Sequence, residues 1–226
     1  MEKHKKIKPT QIVFDFDSTI LRGEMLEIIA EIALKNRSDK EKIIDKIIRI
    51  TNLGMSGEIP FEESLSRRLE MIEISGKILK KTAEKIVGLI DEDYQKILPK
   101  LKKYELYLVS GGYKNLIDPL SEIIGISKER IFANSLIIKK DRFIGIDKTN
   151  PLAFSKGKIE TVKNIKRIDS EILVIGDGAT DLAIKKSGVA DFFIAYTGTV
   201  FRSAVVSEAD FEINSFLELE KIIELY

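Results

Sequence analysis

The sequence predicts an α/β fold, an open parallel sheet covered by helices on both faces, with an all-helical block inserted after its first strand. Three observations carry this. The runs QIVFDF at 11–16 and EILVIG at 171–176 are nearly all apolar, as in strands buried on both faces. From residue 92 onward such runs alternate with stretches of helical period, which implies crossover helices between parallel strands. Residues 21–91 carry helical periodicity alone.

The first strand ends in Asp15-Phe16-Asp17-Ser18-Thr19. Met25, Ile28, Ile29, Ile32 and Ala33 share one face of a first helix, and Ser38 is placed to cap a second that carries Ile43, Ile44, Ile47 and Ile48. Asn52-Leu53-Gly54 and Gly57-Glu58-Ile59-Pro60 break the pattern. Phe61, Leu65, Leu69 and Ile72 predict a third helix, and 78–90 a fourth. Residues 94–103 read as helix, 105–109 as a strand ending in Ser110-Gly111-Gly112, and 113–125 as helix. The segments 131–138 and 142–146 are β-like around a turn at Lys139-Lys140-Asp141. Residues 156–167 read as helix with Ile159, Val162 and Ile165 facing in, and 171–176 as a strand that runs into Asp177-Gly178. A helix at 179–187, a strand at 191–195, a helix near 199–207, a strand at 210–213 and a helix at 215–225 complete the chain. The expected division is residues 1–20 with 92–226 as α/β core and 21–91 as helical insert.

Composition narrows the chemistry. The 226 residues hold 37 Lys and Arg against 36 Asp and Glu, a formal charge of +1, so nothing calls for nucleic acid or an anionic membrane. There is no Cys, and the single His is His4, inside a basic N-terminal run with Lys3, Lys5, Lys6 and Lys8 that reads as a solvated leader. Disulfides, thiolate nucleophiles and multi-histidine metal sites are excluded, and a Ser-His-Asp triad is not expected. No apolar stretch approaches a membrane span and the charged start lacks a signal-peptide core, so a soluble cytoplasmic protein, monomer or homodimer, is expected. Carboxylates, lysines, hydroxyls or a bound ion must do the chemistry.

Ligands of an open parallel sheet bind beyond the carboxyl ends of its strands. Three strands end there in unusual polar residues: Asp15 and Asp17, Ser110-Gly111-Gly112, and Asp177-Gly178-Ala179-Thr180-Asp181. Carboxylates suit Mg²⁺, a hard ion, and glycines after a strand let backbone N–H groups approach an anion. A phosphate dianion beside ionised Asp15 and Asp177 needs such a cation, and a lysine, to approach neutrality. Lys156, in Ser155-Lys156-Gly157-Lys158 at an expected helix start, is placed to supply the lysine charge.

These ordered motifs resemble those of the haloacid dehalogenase superfamily of phosphatases. Glu24, the segment Met55 to Arg68, Phe132-Ala133-Asn134, and the stretch from Phe193 through Arg202 are similar to the pattern of its phosphoserine phosphatase branch. The resemblance implies a Rossmann-like core capped by the helical insert. It implies Asp15 as nucleophile, forming an aspartyl-phosphate, and Asp17 as general acid and base. Mg²⁺ would be held by the Asp15 carboxylate, the Asp17 backbone carbonyl and Asp177. Ser110, the Gly111 and Gly112 amides and Lys156 would grip the phosphoryl oxygens, with Thr180 and Asp181 supporting the substrate and the ligands. From the cap, Glu24 would meet a substrate ammonium and Arg68 a carboxylate, with Met55 and Phe61 as an apolar wall. The implied reaction is hydrolysis of the small phosphomonoester O-phospho-L-serine. The other readings are a phosphatase or phosphotransferase acting on phosphohomoserine or an inositol, sugar or histidinol phosphate, and a non-catalytic phosphate sensor. Lys158 is read as a surface neighbour and Asn134 as a turn or loop residue with a structural hydrogen bond; Arg202 is read as a surface side chain, with reach to the substrate edge as the alternative.

Overall fold

The computed structural model describes residues 6–225, and the expectations for His4, Lys3 and Lys5 lie outside them. The strands are β1 Gln11–Phe14, β2 Glu105–Tyr113, β3 Ile131–Asn134, β4 Leu136–Lys139, β5 Arg142–Ile146, β6 Ile172–Gly176, β7 Phe192–Tyr196 and β8 Phe211–Ile213. Six of them form one parallel sheet in the order β3-β2-β1-β6-β7-β8. The chain leaves β1 for β2 and β3 on one side, then returns to build β6 to β8 on the other. Winding therefore reverses beside β1, where crossover loops diverge and leave a crevice.

Side chains alternate across the sheet. Ile12 and Phe14 of β1 pack on one face with Leu106, Leu108, Leu173 and Ile175, while Val13 packs on the other with Val109, Val174 and Val162. Both faces are dry, which is why the strands read as unbroken apolar runs instead of alternating ones.

The helices are α1 Met25–Ala33, α2 Lys40–Ser56, α3 Phe61–Leu69, α4 Gly76–Val87, α5 Glu92–Leu101, α6 Lys114–Ile117, α7 Ser121–Ile124, α8 Gly157–Ile165, α9 Ala179–Lys186, α10 Ser203–Val206 and α11 Leu219–Ile222. From α1 to α4 every named element is helical, with α1 packed on α4 and α2 on α3. The expected break at Asn52-Leu53-Gly54 is absent, and α2 runs through it. Gly54 serves packing instead: a Cβ there would meet Ser64 Oγ at 2.6 Å, and its absence lets Ser64 Oγ donate to the Ile50 carbonyl at 2.9 Å. None of the described helices is long and apolar enough to cross a membrane.

The expected strand at 131–138 is two strands. β3 joins the parallel sheet, and after Ser135 the chain enters β4, which pairs antiparallel with β5. The turn residues Lys140 and Asp141 take φ of +47° and +62°, the left-handed geometry of a tight hairpin. The Phe143 N–H donates to the Ile74 carbonyl at 3.0 Å, tying this hairpin to the connection between α3 and α4.

Candidate active site

After β1 the backbone makes a tight irregular turn over Phe16–Ile20, with Ser18 at φ +54°. Residues two apart on a strand share a face, and where the strand gives way to this turn Asp15 and Asp17 both line the same cavity. The Met25 N–H, at the start of α1, donates to Asp17 Oδ1 at 2.9 Å, and Ser18 Oγ donates to Glu24 Oε1 at 2.7 Å. One cavity is thereby lined by Asp15, Asp17, Glu24, Met55, Phe61, Arg68, Gly111, Gly112 and Thr180, all singled out in the sequence. Leu26, Leu65 and Tyr113 complete its apolar wall and were not anticipated.

The two glycines after β2's apolar stretch are required by space. A Cβ on Gly111 would meet Phe61 Cζ at 2.6 Å, and one on Gly112 would meet Asp17 Oδ2 at 2.8 Å. Ser110 is fully buried and its Oγ accepts from the Gly112 N–H at 2.9 Å. Asn134 has the structural role expected of it: its amide donates to the Gly111 carbonyl at 2.9 Å and the Leu152 carbonyl at 3.0 Å. Thr180 Oγ1 is buried without a hydrogen-bond partner, a free polar atom in a cavity that otherwise leaves few.

Two sequence expectations are corrected. Lys156 is exposed at the N-cap of α8 and does not line the cavity, whereas Lys158 does. Lys158 Nζ lies 2.9 Å from Asp15 Oδ1 and 2.7 Å from Asp181 Oδ1, with all three residues buried. The reason is helical phase: Lys158 precedes Val162 by four residues and Ile165 by seven, so it shares their inward face, which Lys156 does not. Arg202 is also no surface side chain. Its side chain is 9% exposed, its Nε donates to Asp177 Oδ2 at 3.0 Å, and its Nη2 stands 3.9 Å from Glu24 Oε1.

Arg68 is held on its own helix and the preceding one: Nε donates to the Ser64 carbonyl and Nη1 to Thr51 Oγ1, each at 3.1 Å. Thr51 was missed in the sequence, and a hydroxyl among the apolar positions of α2 is the signal that marks it. The helical block is pinned to the core where Ser155 meets the start of α3. Ser155 Oγ accepts from the Phe61 N–H at 3.0 Å and donates to Glu62 Oε2 at 2.5 Å.

Crowded acids set the electrostatics. Burial, then Glu24 and Asp15, push Asp17 well above the usual carboxylate range, against the Met25 N–H. Burial and Glu24 push Asp177 up to about 7 against Arg202. Burial and Asp15 push Asp181 up to about 7 against Lys158. Burial acts to lower the Lys158 pKa, but Asp15 and Asp181 outweigh it and hold the ammonium charged.

Asp15, Asp177 and Asp181 each bring an oxygen within 4.8 Å of the others. Asp15 Oδ1 is buried and faces Lys158 without accepting a well-directed hydrogen bond. Three buried carboxylates at one point, one of them under-coordinated, form a donor set suited to a hard divalent cation. Asp181, anticipated only as a supporting residue, is part of this cluster, and its Oδ2 also accepts from the Gly178 N–H at 3.2 Å.

Comparison with known proteins agrees with the geometry. The model of haloacid dehalogenase-like hydrolases matches residues 12–185. The chain is 34% identical over 213 residues to the chloroplastic phosphoserine phosphatase of Arabidopsis thaliana, covering 92% of this chain and 70% of that one. It is 30% identical over 220 residues to the phosphoserine phosphatase of Homo sapiens, covering 92% and 90%. Among solved structures, a phosphoserine phosphohydrolase-like protein from Francisella tularensis superposes with a TM-score of 0.87 at 32% identity, covering 96% of this chain and all 100% of that one. A substrate-bound phosphoserine phosphatase complex superposes with a TM-score of 0.79 at 25% identity, covering 97% and 100%. With its family model spanning the first strand through α9 and its acidic residues converging at the switch point of the sheet, the chain belongs to the haloacid dehalogenase-like hydrolase family.

Proposed function

We propose that this chain is a phosphoserine phosphatase, which hydrolyses O-phospho-L-serine to L-serine and phosphate. The observation that carries this is the pairing of Glu24 and Arg68, both buried, in the same cavity as Asp15, Asp17 and the two glycines. A zwitterionic amino-acid monophosphate asks for that set of charges: an acid for its ammonium, a guanidinium fork for its carboxylate, and a separate grip for its phosphoryl group. The similarity to phosphoserine phosphatases supports the same reading.

Asp15 acts as the nucleophile. Its carboxylate oxygen attacks phosphorus, the P–O bond to the serine oxygen breaks, and an aspartyl-phosphate forms. Asp17 enters protonated, in keeping with its raised pKa, and gives its proton to the departing serine oxygen. The resulting carboxylate then takes a proton from the water that attacks the aspartyl-phosphate, releasing phosphate and restoring Asp15. Lys158, whose Nζ lies 2.9 Å from Asp15 Oδ1, offsets charge on the phosphoryl oxygens, a role expected of Lys156 from the sequence. Ser110 and the amides of Gly111 and Gly112 cradle those oxygens, and the free Thr180 hydroxyl is a further donor. Asp15, the Asp17 carbonyl and Asp177, joined by Asp181, would hold Mg²⁺, which would supply charge neutralisation at the phosphoryl group.

The helical block, residues 21–91, serves as the lid. The cavity volume of about 20 Å³ has room for about one water. The Ser155 contacts must therefore part to admit substrate and re-form over it, excluding water from the first step. The test is phosphate release from a panel of small phosphomonoesters with and without Mg²⁺. A preference for O-phospho-L-serine that is abolished by chelation supports the proposal, and preference for a sugar phosphate overturns it.

A further inference from the structure

The loop after β7 sends Arg202 to a point where sheet edge and helical block meet. Nε donates to Asp177 Oδ2 at 3.0 Å, and Nη1 donates to Asn52 Oδ1 at 3.1 Å. Asp177 follows β6 and Asn52 belongs to α2, so a single guanidinium grips both parts of the molecule. Its planar fork makes the two contacts interdependent, since fixing one arm fixes the direction of the other. On Asp177, Arg202 takes Oδ2, while Oδ1 receives only a long 3.5 Å hydrogen bond from Thr19 Oγ1 and stays free for another partner.

We propose that Arg202 is a positioning residue that orients Asp177 for a divalent cation and couples that orientation, through Asn52, to closure of α2 over the site. This rests on the reading of the site as a cation-dependent phosphatase. Carboxylate ligands are themselves held by hydrogen bonds, and removing such a partner commonly weakens metal binding by ~10–100-fold. A residue that merely neutralised charge would do the opposite. Deleting a guanidinium beside this many acids would tighten Mg²⁺ binding.

The test is isothermal titration calorimetry with Mg²⁺ on the full chain, for wild type, Arg202→Met, Arg202→Lys and Asn52→Ala, each first shown to melt cooperatively. Arg202→Met should weaken Mg²⁺ binding by ~10–100-fold. Arg202→Lys, which keeps the charge but not the fork, should recover only part of that loss and guards against misfolding of the Met variant. Asn52→Ala, which frees one arm of the fork, should weaken Mg²⁺ binding by less than Arg202→Met does while raising KM for phosphoserine with less effect on kcat. Wild-type or tighter Mg²⁺ binding in Arg202→Met overturns the proposal, as does an unchanged KM in Asn52→Ala. Should wild type prefer another phosphomonoester, the substrate reading fails while the Mg²⁺ titrations still decide the role of Arg202.

Discussion

Replacing each of the two lysines at the start of α8 separates the structural account from the sequence expectation. Lys158 is buried between Asp15 Oδ1 at 2.9 Å and Asp181 Oδ1 at 2.7 Å, so Lys158→Met leaves two adjacent buried carboxylates without their cation. Removing one partner of a buried pair typically costs about 3–5 kcal/mol. For a chain of this length that corresponds to a loss of about 6–20 °C in Tm. Protonation of Asp181 can absorb part of it, which places the expected value toward the lower end. Turnover should fall by at least ~10²-fold, the usual loss when a preorganised electrostatic partner of the reacting oxygens is deleted. Lys156 is exposed, and Lys156→Met should change stability by no more than about 0.5 kcal/mol and leave kcat within a few-fold of wild type. Thermal melts and steady-state phosphate release on the two variants give the answer. A dead Lys156→Met beside an active Lys158→Met would refute the placement of α8 and the role assigned to Lys158.

Other outcomes follow from the same geometry. Arg68→Ala and Glu24→Gln should each lower kcat/KM for phosphoserine by roughly 30-fold to several-thousand-fold, from a poorly paired charge worth about 2–5 kcal/mol in a closed site. p-Nitrophenyl phosphate, which carries neither an ammonium nor a carboxylate, should be nearly indifferent, and parallel losses on both substrates would contradict the assignment. Thr51→Val removes a hydroxyl that receives Arg68 and should raise KM for phosphoserine while kcat changes less, whereas an unchanged KM would show that the Arg68 contact to Ser64 suffices. In the metal-free chain, Asp177 and Asp181 have folded pKa values of about 7, raised above the ordinary 3.8, so the folded state holds more protons than the unfolded state between those limits. Stability therefore falls as pH rises through about 7, and the two groups together should make Tm about 5–11 °C higher near pH 6 than near pH 8. Asp17, also raised, acts in the same direction, and a Tm that rises toward pH 8 would contradict the crowded-acid account.

Much of the candidate site was legible because a parallel sheet brings the carboxyl ends of its strands to one edge. Three apolar runs that give way to Asp15, Ser110 and Asp177 had to meet there, and the burial of both sheet faces made those runs visible. The lysine was misplaced because the residue nearest the helix start drew the reading, although a charged Lys158 in phase with Val162 and Ile165 was the stronger signal. Arg202 stood at the end of a recognisable stretch, but its contacts did not show. Its partners Asp177, Asn52 and Glu24 come from distant segments, and no local periodicity encodes that meeting. Gly54 was taken for a helix breaker because a sequence shows a missing side chain but not the Ser64 that occupies its place. The split of 131–138 depended on which neighbours each half pairs with, a non-local choice that β propensity does not express.

The central claim is that Asp15 carries the phosphoryl group covalently. It is tested most directly by mixing the Mg²⁺-loaded chain with phosphoserine, quenching in acid during turnover, reducing with borohydride and mapping the peptides by mass spectrometry. Borohydride converts an aspartyl-phosphate to homoserine. The account predicts homoserine at position 15 in wild type and none in Asp15→Asn, with phosphate release lost in the variant. Turnover with no modified residue, or with the modification on Asp17, Asp177 or Asp181, would contradict it.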